Sequence, residues 1–335
     1  MTQATMQDVA RLAGVSAKTV SNVINDRPYV SVQTRDRVER AITQLGYKLN
    51  LAARNLRSGR SGVIGLAVPS LSIAYFAELA EAAVGAAEEH GLVVQIERTG
   101  SLERERALLA SPRLQHIDGL ILNPMDHIAE ELESARLSLP MIVLGDHSVG
   151  SAAVHISSDN RAAAALATEQ LLLTGRRRIA AIGARHDDQH GSARLRFEGY
   201  RSVIERAGGR IDPALIVDAD PWTPLTGAAA MRQLLQRGVD FDAVFAFNDS
   251  LALGAIRALG DAGRRVPDDV AVIGIDNIAE GEYSIPSLST VDLGSRRIAE
   301  TAVSLLVEQL GADIPPAPRR VVVDFNLVLR ESTAR

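Results

Sequence analysis

Residues 63 to 275 set short β-rich runs between helical stretches, and this alternation restricts the chain to parallel sheets wrapped by helices on both faces. The runs are Val63 to Pro69, Leu92 to Glu97, Gly119 to Asn123, Met141 to Leu144, Ile179 to Gly183, Ala243 to Phe247 and Val270 to Ile275. Helices start visibly at Phe76 to Glu89, Arg161 to Leu173, Arg196 to Ala207 and Ser250 to Ala262. A single core stops growing at roughly 250 to 300 residues, so two sheets suit this body better than one. The expected fold class is α/β, with a doubly wound parallel sheet in each of two subdomains across 63–335.

In open α/β sheets ligands collect outside the carboxyl ends of the strands. Those ends are polar here: Ser70, Asn123, Asp146, Arg185, Asn248 with Asp249, and Asp276 with Asn277. Taken singly, an Asp or Asn there reads as a cap for the helix that follows it. Several converging on one crevice read as a binding site. Amides, carboxylates and one or two arginines, beside Trp222 or Phe76, match a polyhydroxylated ligand, whose hydroxyls need donors and acceptors and whose C–H face needs an aromatic platform.

The first 60 residues differ in kind. They hold ten Lys or Arg against four Asp or Glu, a net +6, while the remainder carries −11. A basic head on an acidic body suits a phosphate-binding module, although a solvated basic face has the same charge. Thr5-Met6-Gln7-Asp8 has the form of a helix start in which the acid reaches back to a free N–H. Met6, Val9, Ala10 and Ala13 then follow at helical spacing as far as Gly14. Ser16 is placed to cap a second helix with Val20, Val23 and Ile24 inside, ended by Asn25 to Pro28. A third helix follows Ser31, with Val38, Ala41, Ile42 and Leu45 on one face and Gly46 as its stop.

Two short helices across a Gly-containing turn form a helix-turn-helix, whose second helix can enter a major groove; small structural bundles use the same turn. The second helix turns Ser16, Ala17, Lys18, Ser21 and Asn22 away from its apolar stripe. Lys18 can donate to guanine and Asn22 can pair with adenine, while Thr19 and Ser21 are better placed for phosphate or sugar.

These residues resemble the headpiece of LacI/GalR (lactose-repressor) family transcriptional regulators. The resemblance is carried by Asp8-Val9-Ala10, Ala13-Gly14-Val15-Ser16, Thr19-Val20-Ser21 and Val23-Ile24-Asn25, and continues through Val30-Ser31, Leu45-Gly46-Tyr47, Asn50, Ala53 and Leu56. It implies that Ala17, Lys18 and Asn22 occupy base-reading positions. It extends over the body, through Tyr75-Phe76, Arg196-Phe197-Glu198-Gly199-Tyr200, Phe247-Asn248-Asp249 and Ile273-Gly274-Ile275-Asp276-Asn277, as the family's periplasmic-binding-protein-like effector domain. There it implies effector contacts from Arg196, Asn248 and Asp276, with Trp222, Phe76 and Asn123 as further cleft residues.

Between the two parts, residues 50–57 span two helical turns, and Ser58 to Gly62 read as a flexible linker. Eight residues are too few to hold a helix alone in water, so this hinge requires outside contacts. Ala53 and Leu56 share a face. On its own residues Leu56 reads first as packing against its own domain; the resemblance implies instead a wedge into the minor groove of DNA, with Arg57 alongside. The expected organisation is a headpiece over 1–49, a hinge and linker over 50–62, and an effector-binding and dimerisation domain over 63–335. One headpiece reads half a site, so a homodimer on a palindromic operator is expected. No heptad segment follows Arg330, so no terminal coiled coil is expected to build a tetramer.

Composition removes other classes. With no cysteine there is no disulfide, thiolate zinc site or cysteine nucleophile. No apolar run approaches the roughly 20 residues that cross a bilayer, and Met1 to Gln7 is polar, so neither insertion nor export is expected and the cytoplasm fits. No glycine-rich dinucleotide or phosphate loop, no His-Glu-x-x-His and no Gly-x-Ser-x-Gly occurs, and neither cofactor nor catalytic residues are expected. His186-Asp187-Asp188-Gln189-His190 has metal-like spacing but reads as a solvated polar loop. Two alternatives to a regulator stay open: a sugar-binding transport protein, which has no use for residues 5 to 57, and a sugar- or nucleoside-processing enzyme using Asp249 and Asp276.

Overall fold

The computed structural model describes residues 4–24, 28–47, 60–124, 139–146, 153–185, 191–312 and 317–334. The chain divides into two units, Met1–Ser61 and Gly62–Arg335. Asn25, the hinge residues Ala53, Leu56 and Arg57, and the His186 to His190 motif lie outside the described residues.

Among the described residues, the first unit is a core of α1 (Met6–Ala13), α2 (Ala17–Ile24) and α3 (Val32–Leu45). The start of α1 is a reciprocal capping box: the Thr5 N–H donates to Asp8 Oδ2 at 2.9 Å, and the Asp8 N–H donates to Thr5 Oγ1 at 3.3 Å. Both α1 and α3 stop at a left-handed glycine, Gly14 and Gly46, as the spacing predicts. Val9, Val20 and Val38, one from each helix, have no exposed surface and meet in one cluster. Burying such a side chain contributes about 1.5–3 kcal/mol, which is how so small a unit holds together.

The second unit holds two six-stranded sheets. The first runs β11(Arg320–Val323), β5(Val154–Ser158), β4(Met141–Leu144), β3(Gly119–Leu122), β1(Val63–Val68), β2(Val93–Arg98), all parallel. The second runs β12(Asn326–Val328), β10(Ser289–Asp292), β9(Ala271–Ile275), β8(Ala243–Ala246), β6(Ile179–Ala184), β7(Ile216–Asp218), parallel except for the antiparallel edge strand β12. In each sheet the strand order reverses beside its first strand, and such a reversal opens a crevice at the carboxyl ends.

Helices α4 (Ala74–Glu89), α5 (Leu102–Leu109) and α11 (Ser295–Gly311) belong to the first subdomain; α6 (Asn160–Leu173), α7 (Ser192–Arg206), α8 (Pro224–Gln236), α9 (Asp249–Asp261) and α10 (Ala279–Glu282) belong to the second. In α4, Leu79, Ala80, Ala83 and Ala87 recur at helical spacing and pack, with Ile298, Ala302 and Leu306 of α11, against Ile64 and Leu66 of β1. In the second subdomain α8 and α9 approach until backbones touch: a Cβ on Gly254 would stand 2.0 Å from the Pro224 carbonyl oxygen, and one on Gly227 would stand 2.3 Å from that of Leu251. Only glycine fits either position.

The chain passes between the subdomains three times, after β5, after β10 and after β11. The passages are bound to one another: the Ser158 hydroxyl donates to the Leu293 carbonyl at 2.7 Å, and the Arg297 guanidinium donates to the Asp324 carbonyl at 2.7 Å. No helix among the described residues is long and apolar enough to cross a membrane.

Candidate functional site

The carboxyl ends of both sheets face a cavity of about 590 Å³. The first subdomain lines it with Tyr75, Phe76, Asn123 and Asp146, the second with Arg196, Trp222, Asn248 and Asp276. Of the cleft residues expected from the sequence, these eight and Arg185 line it, whereas Asp249 and Asn277 do not. Ser70 is not in the lining; its hydroxyl lies 2.9 Å from that of Ser72 and accepts the Ser72 N–H at 3.2 Å, closing a local turn.

At the centre is Arg196, which projects from the first turns of α7 and is 4% exposed. Its planar fork serves three acceptors in three directions: Asn160 Oδ1 at 2.6 Å, the Phe247 carbonyl oxygen, and Asp276 Oδ1 at 3.4 Å. Its Cζ also sits 5.1 Å above the Trp222 ring. Asn160 passes the network on, its amide donating to Asp146 Oδ2 at 2.6 Å. The result is one ladder, Asp146–Asn160–Arg196–Asp276, that joins the two subdomains across the floor of the cleft.

Asn160 has no counterpart among the expected residues. It follows β5, whose Val-His-Ile-Ser-Ser run does not read as apolar, so its strand end went unread. All five residues of β5 are nevertheless buried, because the strand lies inside the sheet at a passage between subdomains.

Asn248 combines both of its expected readings. Its Oδ1 accepts the Leu251 N–H at 2.8 Å and caps α9, while the residue also lines the cleft. Trp222 is anchored by its indole N–H to the Gly183 carbonyl at 3.1 Å and by an edge-on contact to Phe247, ring centroids 6.2 Å apart. Phe76 is held edge-on by Tyr75, centroids 5.2 Å apart. Two aromatic walls, one from each subdomain, thus line a polar cleft.

Asp276 sits at φ +119° and Asn277 at φ +57°, backbone that most side chains avoid. Below this turn lies Asp249, fully buried. It accepts the Thr290 hydroxyl at 2.7 Å and the Ile278 N–H at 3.1 Å. Burial pushes the Asp249 carboxyl up to about 7, with the Asp276 charge adding to it and the hydrogen bonds opposing it. Burial pushes Asp276 up to about 6, against the pull of Arg196. Asp146 is raised by burial in the same way and opposed by Arg196 and Asn160. Burial raises the Tyr75 phenol, which stays a neutral hydrogen-bond donor.

Charged groups in the cleft are therefore bound to one another, and hydrogen-bonding edges remain for a ligand. No group of His, Asp or Glu among the described residues is arranged to hold a metal ion.

In the first unit, α2 buries Val20 and Val23 and leaves Lys18 exposed, with Ala17, Thr19, Ser21 and Asn22 half-buried. Ser16 Oγ accepts the Thr19 N–H at 3.1 Å and meets Thr19 Oγ1 at 2.9 Å, so these two hydroxyls fix the start of the helix. The Tyr29 hydroxyl, which the sequence did not single out, lies 3.5 Å from Asn22 Oδ1, and Tyr29 is 72% exposed.

Residues 5–50 match the family described as bacterial regulatory proteins, lacI family, and residues 168–333 match the periplasmic binding protein-like domain. Over 343 residues the chain is 37% identical to the HTH-type transcriptional regulator CelR of Thermobifida fusca, covering 98% of each. Among solved structures it is similar to the lac repressor dimer bound to operator and the anti-inducer ONPF, with a TM-score of 0.84, 30% identity and all of both chains covered. It is also similar to a CelR–cellobiose complex, with a TM-score of 0.73 and 33% identity over 98% of this chain and 100% of the other.

Proposed function

The chain belongs to the lacI family of bacterial regulatory proteins, and from that premise we propose that it is a repressor whose hold on operator DNA is set by a sugar in the cleft of its second unit. That it is a DNA-binding transcriptional regulator and not an enzyme follows from the family. The proposal adds the partition into headpiece 1–49, hinge and linker 50–62 and effector domain 63–335, a homodimer on a roughly palindromic operator, and a cytoplasmic location.

On the DNA side, Lys18 and Asn22 with Ala17 are assigned to base edges, and Ser16, Thr19, Ser21 and Asn25 to the backbone. Ala53 and Leu56 are assigned to the minor groove, with Arg57 on phosphate. On the effector side the contacts are Tyr75, Phe76, Asn123, Asp146, Arg196, Trp222, Asn248 and Asp276. The observation that carries this half is the Asp146–Asn160–Arg196–Asp276 ladder lying between two aromatic walls. Fixed donors and acceptors beside aromatic rings suit a polyhydroxylated ligand, and a relative is described bound to cellobiose. A ligand that bridges both subdomains binds the closed form better and so biases closure, and linkage then makes sugar and DNA alter each other's affinity by the same factor.

Trp222 is the chain's one tryptophan and lies in the cleft, so its fluorescence reports occupancy directly. Titration with mono- and disaccharides, cellobiose among them, is expected to give a saturable change for at least one. Duplexes selected from random DNA are expected to be palindromic and to be released by that same sugar. Saturable Trp222 changes with no effect on DNA retention would refute the coupling.

A further inference from the structure

Glu78 lies on α4 one turn beyond Tyr75, yet it takes no part in lining the cleft. Its carboxylate reaches the other subdomain, where Oε1 accepts the Ala279 N–H at 2.8 Å across a separation of 201 residues. That amide opens α10, whose N-cap residue Ile278 makes no side-chain cap bond. The first free N–H groups of a helix need acceptors, and here the acceptor comes from the facing subdomain.

The position of this contact gives it a second effect. Ala279 lies two residues beyond the strained pair Asp276–Asn277. Consecutive amides after that pair are held by two carboxylates, Ile278 N–H by Asp249 from beneath and Ala279 N–H by Glu78 from across the cleft. Asn277 is tied besides to Arg330 through its Oδ1, at 2.9 Å. Strained backbone persists only where its surroundings over-determine it, and Glu78 is the restraint that depends on the subdomains being together.

We propose that Glu78 is a positioning residue for the effector site, capping α10 from the opposite subdomain and so holding the Asp276 turn in its ligand-facing form when the cleft is closed. The same helix presents Tyr75 and Phe76 to the ligand, so closure brings the aromatic wall and the restraint on Asp276 into place in one movement. This rests on Asp276 being an effector contact, and the experiment below separates the two claims.

Full-length wild type, Glu78→Ala and Glu78→Gln are compared by hydrogen–deuterium exchange without added sugar. Peptides spanning 276–282 should exchange about tenfold faster in Glu78→Ala, and near the wild-type rate in Glu78→Gln, whose amide oxygen still accepts a hydrogen bond. No acceleration in Glu78→Ala, or no recovery in Glu78→Gln, overturns the role. Trp222 fluorescence with the saccharide panel forms the second arm. For a sugar that binds wild type, Glu78→Ala should raise Kd about tenfold. An unchanged Kd overturns the proposal. If no saccharide perturbs Trp222 in wild type, the sugar reading falls, and the exchange result still decides what Glu78 does.

Discussion

Replacing Arg196 with alanine tests the central ladder most directly. The substitution takes a guanidinium from a site where its side chain is 5% exposed, and it strands Asn160 Oδ1, the Phe247 carbonyl and Asp276 together. Removing one member of a buried ion pair costs roughly 3–5 kcal/mol, chiefly because the other charge stays buried without compensation. At about 2–4 °C per kcal/mol for a body of this size, the melting temperature should drop by about 10 °C near neutral pH.

The loss should also depend on pH in a definite direction. Asp276 has a folded pKa of about 6 against an ordinary 3.8, so the folded chain binds this proton more tightly than the unfolded chain. Its ionisation therefore removes stability as pH rises from about 4 through about 6. Without Arg196 the folded pKa climbs further, which deepens the penalty at neutral pH and leaves little of it once the carboxyl is protonated. The gap between wild type and variant should narrow on acidification to about pH 5, to the roughly 1.5–3 kcal/mol of the guanidinium's lost hydrogen bonds to Asn160 and Phe247. Thermal unfolding followed by circular dichroism at both pH values measures this. A gap that is equally wide at both, or below about 3 °C near neutrality, refutes the account of Arg196 as the charge that makes the buried carboxylates tolerable.

Three further outcomes are expected. Asp276→Ala should abolish sugar-dependent release of DNA while leaving sugar-free operator affinity intact, and release that survives the change would show that the pocket is misassigned. Lys18→Ala should relax base preference at one position of the half-site by about 1–3 kcal/mol, whereas equal losses on every operator variant would show a phosphate contact instead. Gly274→Ala should destabilise the second unit by about 1–3 kcal/mol or more, because its Cβ would lie 2.1 Å from Asp249 Oδ1 and 3.1 Å from Asp249 Cα; unchanged chemical denaturation would count against that packing.

The sequence made the headpiece legible because its signals are local. Thr5 with Asp8, Ser31, Gly14 and Gly46 each fix a helix end through bonds to neighbours only a few residues away. It made the interior strands β1, β3, β4, β8 and β9 legible as well, since sheets covered on both faces need unbroken apolar runs. Strands β5, β10, β11 and β12 went unread for the opposite reason. They are three to five residues long, carry Ser, Thr, His, Asp, Asn or Arg, and form where the chain changes subdomain, so their pairing is set by distant partners. Asn160 was lost with β5. Ser70 shows the converse limit: a polar residue at a strand end can serve its own turn, and nothing in the local sequence distinguishes that use from a ligand contact.

The interleaving of the two halves also bears on how the chain is born. The second subdomain gathers β6 to β10 from one continuous stretch and, once Asp292 has been made, lacks its edge strand β12 and the C-terminal turn Glu331–Thr333. The first must wait for α11 to cover β1, β3 and β4 and for β11 to pair with β5, segments synthesised only after the whole β6 to β10 stretch of the other subdomain. Until then it leaves the ribosome with an unpaired edge at β5 and a bare apolar face, the features that invite association with the wrong neighbour. The half encoded earlier is the half that matures later, and any helper that shields nascent chains has its longest task there.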